Sequence, residues 1–89
     1  MRIVEDNKFK KVVKRLNTNQ KKDLDKAIML IISEPNIGQE KRADLKTIRV
    51  HKFKMVNQLT LLAYHYNDEC IVLTLISIGS HQNFYRDLK

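Results

Sequence analysis

The chain has 89 residues, of which 43% are hydrophobic, and 17 Lys and Arg against 10 Asp and Glu give a formal net charge of +7. This length fits one domain, and the apolar fraction excludes an intrinsically disordered chain. The single cysteine, Cys70, excludes an intramolecular disulfide, while His51, His65 and His81 lack the paired spacing of metal ligands. We therefore expect neither a metal nor another cofactor.

The hydrophobic segments are short. The longest apolar stretch in the N-terminal half, Ala27 to Ile32, is far below the roughly 20 residues that span a bilayer. Met1 to Val4 run directly into Glu5 and Asp6, without the apolar core of a signal peptide. We expect a cytoplasmic protein with no membrane partner. Its positive charge favours phosphate polymers or acidic proteins as partners, although excess charge also serves solubility alone.

The N-terminal third predicts a short strand and a first helix. Arg2 to Val4 can form the strand, and Asp6 or Asn7 can cap the helix. The apolar residues that follow repeat at the helical spacing i, i+3, i+4, i+7. They are Phe9, Val12, Val13 and Leu16.

A second helix is predicted directly after the first. Asn17 or Thr18 can cap it, and Gln20 completes a capping box if Asn17 is the cap. Its apolar stripe consists of Leu24, Ala27, Ile28, Ile31 and Ile32. Pro35 ends the helix, because a residue before proline is disfavoured in the α region. The very short connection predicts an antiparallel hairpin of the two helices.

The second half of the chain predicts a sheet. Residues 36–46 are polar and are interpreted as a loop. Three runs rich in β-branched and aromatic residues follow, at Ile48 to Val56, Leu59 to Tyr66 and Ile71 to Ile78. Turns at Asn57-Gln58 and at Asn67-Asp68-Glu69 would make them an antiparallel meander.

The last run is apolar on both faces and is therefore placed inside the sheet. Gly79 is expected to end it, and residues 80–88 leave room for a final turn or short helix. The predicted class is α+β, with both helices on one face of the sheet and the other face free for a site.

Two lysines stand out on the first strand of the meander. Strand alternation points Lys52 and Lys54 to one face and Phe53 and Met55 to the other. The lysines, roughly 7 Å apart along the strand, form a basic platform. They can equally be solvated residues that protect a strand edge from aggregation.

A second group of reactive residue types follows the last strand. Gly79 is followed by Ser80, His81, Tyr85 and Arg86. Histidine can act as a general acid or base near neutral pH, and tyrosine can stack on a base. The alternative is a C-terminal turn whose aromatic residues pack on the sheet.

The order of these elements and several segments resemble the RelE/ParE toxins of bacterial toxin–antitoxin pairs. Arg49-Val50-His51-Lys52-Phe53-Lys54-Met55 resembles the RelE strand that carries Lys-x-Lys, and Leu61-Leu62-Ala63-Tyr64 resembles the strand after it. Ile76-Ser77-Ile78-Gly79 resembles the hydrophobic strand that ends in glycine. The Gly-Ser-His-x-x-x-Tyr run from Gly79 to Tyr85 is similar to the end of YafQ-type toxins.

The resemblance implies roles for individual residues. Lys52 and Lys54 would bind the scissile phosphate. His81 would correspond to the catalytic histidine of YafQ-type toxins. Tyr85 would complete the catalytic group by helping to hold the substrate. Further substrate-binding candidates are Arg86, His51 and Arg49. Strand alternation puts His51 opposite the lysines, so it ranks below His81.

The sequence also departs from RelE. Leu61, or Thr60 in a shifted register, replaces an arginine of RelE, and Asp87 replaces its late tyrosine. The expected activity is therefore a metal-independent, histidine-assisted endoribonuclease rather than an all-cationic site.

The resemblance implies partners as well. An mRNA interferase of this family would act on the ribosome and mRNA, and a cognate antitoxin would cover its basic face. Operator DNA would be contacted only through the antitoxin complex. Two other functions remain open. The ParE branch poisons DNA gyrase, and some of its sequences share the Gly-Ser-His-x-x-Phe-Tyr-Arg ending. A basic nucleic-acid- or protein-binding module without catalysis is the third.

Overall fold

The computed structural model describes residues 1–43, 46–69 and 72–80, and this part of the chain forms two helices and a five-stranded sheet. In chain order the elements are β1 (Arg2–Glu5), α1 (Asn7–Val13), α2 (Thr18–Ser33), β2 (Gln39–Ala43), β3 (Lys46–Met55), β4 (Gln58–Asn67) and β5 (Val72–Ser80). The predicted α+β class is confirmed. The final turn or helix expected beyond Ser80 lies outside the described residues.

Side-chain caps set the starts of both helices. The Asp6 carboxylate accepts the backbone N–H of Asn7 at 2.8 Å. Asn17 and Gln20 form the predicted capping box, in which each side chain accepts the other residue's backbone N–H at 2.9 Å. These bonds satisfy donors that have no partner within a helix.

The helix ends follow the local sequence. α1 stops at Val13 rather than continuing to Leu16, because the N–H groups of Arg15 and Leu16 bond three residues back and tighten the turn. α2 stops at Ser33, ahead of Pro35. Within the described residues, neither helix is long and apolar enough to cross a bilayer.

The sheet has the order β1-β5-β4-β3-β2. β3, β4 and β5 form the predicted antiparallel meander, and β5 lies inside the sheet as expected, between β4 and the parallel strand β1. A β-bulge between Ala63 and Tyr64 shifts the register of the β4–β5 pair. Such a bulge bends the strand and increases its twist.

Three sequence-based expectations about the sheet are wrong. Residues 36–46 are not all loop, because residues 39–43 pair with residues 46–50 as strand β2. The β3–β4 turn is at Val56-Asn57, not Asn57-Gln58, and Gln58 already begins β4. Gly79 does not end β5, since it pairs with Leu61 and the strand continues to Ser80.

The main core lies between the helices and one face of the sheet, as predicted. Its buried residues are Phe9, Leu24, Ile31, Met55, Leu62, Tyr64, Leu73, Leu75 and Ile78. The opposite face is not free over its whole area, because a second cluster of buried residues lies on it. This cluster consists of Ile48, Val50, Leu61 and Ala63.

Tyr64 fixes the connection between α2 and β2. Its side chain is fully buried, and its hydroxyl donates to the Pro35 carbonyl at 2.6 Å and accepts the Gly38 N–H at 3.0 Å. Arg49 Nη1 donates to the carbonyls of Asn36 at 3.1 Å and Gly38 at 2.9 Å. Burial raises the pKa of the Tyr64 phenol, which keeps the donating proton in place.

Gly38 lies too close to this anchor for any side chain. A Cβ at this position would be 2.8 Å from the Tyr64 hydroxyl, 2.9 Å from Tyr64 Cε1 and 3.1 Å from Arg49 Cβ. We expect Gly38→Ala to lower the free energy of unfolding by about 1–3 kcal/mol, the usual cost of overpacking. Urea denaturation measures this change.

The matched control for that variant is Asn36→Ala in the same connection, where only the backbone carbonyl is used. We expect this exposed substitution to change stability by less than about 0.5 kcal/mol. Equal stability of the two variants would contradict the close packing at Gly38.

Candidate functional site

The exposed lysine pair on β3 is the centre of the candidate site. Lys52 and Lys54 are exposed, while Met55 is buried and Phe53 packs against the main core. The two lysines therefore lie on the face that the helices do not cover, as the alternation predicted. Both side chains are on one strand, so their Cα atoms are held roughly 7 Å apart.

The strand environment leaves both interpretations of the lysine pair available. β2 pairs with β3 only as far as Val50, so in the described structure the segment with both lysines pairs with β4 alone. An open edge of this kind is where lysine protects against aggregation. A ligand can also approach this part of β3 along the open strand edge and across the sheet face opposite the helices.

The residues opposite the lysines on β4 are apolar. Leu61 is the register partner of Lys52 and is completely buried, while Leu59 faces Lys54 and is 42% exposed. Thr60, the alternative position for the family's arginine, is buried, and its hydroxyl donates to the Gln58 carbonyl. Neither position brings a third cation to the lysines.

The hairpin turn beside Lys54 is strained. Val56 and Asn57 have φ of 49° and 66°, the left-handed pair typical of a two-residue hairpin turn. A β-branched residue adopts such a φ only at a cost. The Asp23 carboxylate on α2 accepts the Val56 N–H at 2.8 Å and so ties the turn to the helix layer.

Replacing Val56 with asparagine should relieve this strain. Because Val56 is 48% exposed, its side chain contributes little packing. We expect Val56→Asn to raise the free energy of unfolding by about 1 kcal/mol. The control is Gln58→Asn, which puts the same residue at a neighbouring strand position. Thermal or urea denaturation in which Val56→Asn is no more stable than wild type would contradict the strain.

Arg49 and His51 lie on the helix-facing side of β3. Arg49 is the register partner of Tyr64 and is bonded to the α2–β2 connection. The His51 ring stacks on Phe53, with centroids 6.0 Å apart and planes 8° from parallel. The expectation that His51 faces away from the lysines is confirmed. Substrate binding by Arg49 and His51 stays a prediction.

Burial lowers the pKa of the His51 imidazole below its ordinary value. The unfolded chain therefore takes up this proton at a higher pH than the folded protein, near pH 6.5. It follows that His51 makes stability fall as pH drops below about 6.5, until the folded pKa is passed.

We expect His51→Gln to flatten the pH dependence of unfolding between about pH 7 and pH 5 relative to wild type. Urea denaturation series at several pH values measure this difference. Parallel curves for the two proteins would show that His51 is not desolvated in the fold.

A polar cleft at the other end of β3 was not predicted. It has a volume of about 220 Å³ and is lined by Asn36, Glu40, Arg49, His65, Tyr66 and Asp68. Arg49 Nη2 is 3.9 Å from Glu40 Oε1 across it. Lys54 is five residues further along β3, about 17 Å away at strand rise. The lining residues come from three separate segments, so no local motif signals the cleft.

The remaining predicted site residues lie outside the described structure. His81, Tyr85 and Arg86 all follow Ser80, the last described residue. Ser80 pairs with Thr60, which pairs with Phe53, so this register row falls between Lys52 and Lys54. Among the described residues, no group of three or more His, Cys, Asp or Glu side chains is placed to hold a metal ion.

Comparison with known families gives one match over nearly the whole chain. The model of the family described as "ParE-like toxin of type II bacterial toxin-antitoxin system" matches residues 3–89. No curated protein matches the chain.

Several solved structures share the fold. A chain of the intact E. coli RelBE toxin–antitoxin complex superposes with a TM-score of 0.70 at 23% identity, covering 89% of this chain and 94% of that one. The isolated E. coli RelE toxin gives 0.69 at 22% identity, covering 97% and 92%. A free E. coli RelE double mutant gives 0.71 at 20% identity, covering 98% and 90%. At these identities the likeness shows the fold alone.

Proposed function

The chain belongs to the ParE-like toxins of type II bacterial toxin–antitoxin systems, and we propose that it is an mRNA interferase, an endoribonuclease that cuts mRNA on the ribosome and inhibits translation. The observation that carries this proposal is the exposed pair Lys52 and Lys54 on the sheet face opposite the helices. The strand register further supports it, because β5 ends level with this pair, with β4 between them, and His81 is the next residue in the sequence.

The proposed chemistry is attack by the ribose 2′-OH on the adjacent phosphorus. A base removes the 2′-OH proton, the bond from phosphorus to the 5′ oxygen breaks, and an acid protonates that oxygen. The products are a 2′,3′-cyclic phosphate and a 5′-OH. We assign one of the two proton transfers to His81, because an imidazole ordinarily changes its charge near neutral pH.

Lys52 and Lys54 would stabilise the negative charge that builds up on the phosphate oxygens. Fixed cations at a developing charge are often the largest single contribution to catalysis. Their long side chains can converge on one phosphate although their Cα atoms are roughly 7 Å apart. Tyr85 would hold the substrate by stacking on a base, and Arg86 would clamp its backbone.

Leu61 supports the histidine-assisted version of this mechanism. An arginine at its position could share the charge stabilisation with the lysines. Leu61 is instead apolar and fully buried, and it is the register partner of Lys52. With this position apolar, proton transfer by His81 becomes the more important contribution.

A protein antitoxin is the partner that family membership implies, and E. coli RelE has been solved in such a complex. We propose that the antitoxin of this chain covers the sheet face that carries Lys52 and Lys54 and so prevents the substrate from binding there. Contact with operator DNA would then occur only through the complex.

The test is induced expression in bacterial cells, with growth measured and cleavage mapped by primer extension on a translated message. Wild type should stop growth and cut within codons. His81→Ala should lose cleavage, and Lys52→Gln with Lys54→Gln should reduce it about 100-fold or more. Arg2→Gln with Lys26→Gln removes the same charge from exposed sites and should keep activity.

The other outcomes separate the alternatives. Full toxicity of His81→Ala would contradict its assignment. Aggregation of the lysine variant, with unchanged cleavage by its soluble fraction, would identify the pair as edge protection. A harmless wild-type protein would indicate a binding module without catalysis.

DNA gyrase poisoning is the second candidate, because the matching family model is named for ParE. It requires no acid–base group of the toxin's own. An SOS response with gyrase-linked DNA breaks and intact messages would favour this function over mRNA cleavage.

A further inference from the structure

The end of the β3–β4 hairpin carries Lys54 and extends past the neighbouring strands. We call residues 54–59 the hairpin tip. β2 pairs with β3 only as far as Val50, and in the described structure β5 pairs with β4 only from Thr60 onward. Within the described residues the tip is therefore a two-stranded ribbon, in which Lys54 is the register partner of Leu59. Two strands alone are marginally stable and twist more than a wider sheet.

A carboxylate on α2 holds the turn of the hairpin tip. Asp23 Oδ2 accepts the Val56 N–H at 2.8 Å. Leu24, the next residue along α2, is only 2% exposed and belongs to the main core, so Asp23 projects from a firmly packed helix. A hydrogen bond to a carboxylate is roughly twice as strong as one between neutral groups. The turn is thus joined to the helix layer as well as to the strands.

The backbone of Val56 needs such a support. Its φ of 49° is unfavourable for a β-branched residue. A residue keeps a conformation of this kind only where the surrounding structure holds it there. Because the side chain of Val56 is 48% exposed, its own packing contributes little. The bond from Asp23 is made to the backbone N–H of this same residue and therefore stabilises the strained turn directly.

Helix stability does not account for an aspartate at position 23. Aspartate is among the weaker helix formers. Asp23 lies in the second turn of α2, which begins at Thr18, whereas a negative charge favours the helix dipole mainly within the first turn. The bond to Val56 is the contact that explains this residue.

We propose that Asp23 is a positioning residue for Lys54. By holding Val56, two residues further along the chain, it sets where the Lys54 ammonium lies relative to the scissile phosphate. The inference rests on the proposed function, because it concerns the charge stabilisation assigned to Lys54. Asp23 does not touch the substrate itself, since it lies in the helix layer and Lys54 lies on the opposite face of the sheet. It acts through the backbone of the turn.

Loss of this bond should act on the rate of cleavage rather than on binding. Without it the turn can relax to another conformation and change the twist of the tip, which displaces Lys54. A misplacement of about 1 Å can slow a reaction by about 100-fold. Stabilisation of charge that develops only in the transition state raises the maximal rate, whereas binding of the message is shared with other parts of the toxin.

The test is cleavage of a defined message on ribosomes by purified full-length toxin, with the maximal rate and the half-saturating ribosome concentration measured separately. Asp23→Ala should lower the maximal rate at least about 10-fold and change the half-saturating concentration less than about 2-fold. Asp23→Asn keeps an oxygen that accepts the Val56 N–H and should restore most of the rate. Alanine is the better helix former, so we expect Asp23→Ala to fold, which urea denaturation checks.

The matched control is Asp25→Ala, which removes the same charge from an exposed position of the same helix and should leave both parameters unchanged. A double-mutant cycle then separates positioning from a general loss of stability. In a Lys54→Gln background, Asp23→Ala should slow cleavage by less than about 2-fold, because the group that it positions is gone.

Three outcomes would overturn the inference alone. They are an Asp23→Ala toxin as fast as wild type, equal slowing by Asp23→Ala with and without Lys54, and an Asp25→Ala toxin as slow as Asp23→Ala. A wild-type toxin that leaves messages intact would instead contradict the proposed function, and the inference with it. The two failures are therefore distinguishable by the activity of the wild type.

Discussion

The buried Tyr64 hydroxyl is the contact on which the arrangement of the sheet depends. It bonds Pro35 and Gly38 at once, so the chain leaving α2 is fixed against β4 before β2 begins. Arg49 holds the same connection from β3. A buried polar group left without its partner costs about 1–3 kcal/mol, a large part of the stability of a small domain. Gly38 is required there because no side chain fits beside the ring.

This anchor also determines which residues can be functional. Tyr64 and Arg49 are register partners on the helix-facing side, so alternation sends Lys52 and Lys54 to the other side. A shift of one residue would bury the lysines and expose Met55. The packing of β3 and β4 against the main core therefore decides which face of the sheet carries Lys52 and Lys54. That face is basic because the two outward positions, 52 and 54, are both lysine.

The net charge of +7 is distributed over more than one side of the molecule. The sheet face that carries Lys52 and Lys54 also carries the buried cluster around Leu61, and β5 ends level with the two lysines on the far side of β4. Residues 8–22 carry seven further cations but no histidine and no carboxyl side chain. A cationic surface attracts a polyanion and speeds encounter, whereas cleavage also needs an acid and a base. This difference is why we assign the chemistry to the sheet face that carries Lys52 and Lys54.

Local signals in the sequence predicted the helices well. Asn17 with Gln20 predicted the start of α2, and Pro35 predicted its end, because caps and proline act within a few residues. The polar strand β2 was missed since it is held by pairing with β3 and by Arg49 rather than by its own apolar pattern. The β3–β4 turn was predicted one residue late because valine disfavours the positive φ that the hairpin imposes on Val56.

The candidate site was only partly predictable. Alternation alone was enough for Lys52, Lys54 and His51, since a strand has a period of two. The bonds of Asp23 to the hairpin and of Tyr64 to Gly38 join residues 33 and 26 positions apart, which no local pattern indicates. The roles of His81, Tyr85 and Arg86 rest on family resemblance, and these residues lie outside the described structure.

The most direct test of the account is to analyse the ends of RNA fragments made by the purified full-length toxin on ribosomes that carry a defined message. Attack by the 2′-OH predicts cuts within the coding sequence, with a 2′,3′-cyclic phosphate or the 3′-phosphate derived from it on one fragment and a 5′-OH on the other. An intact message, or fragments that end in 3′-OH and begin with 5′-phosphate, would contradict it.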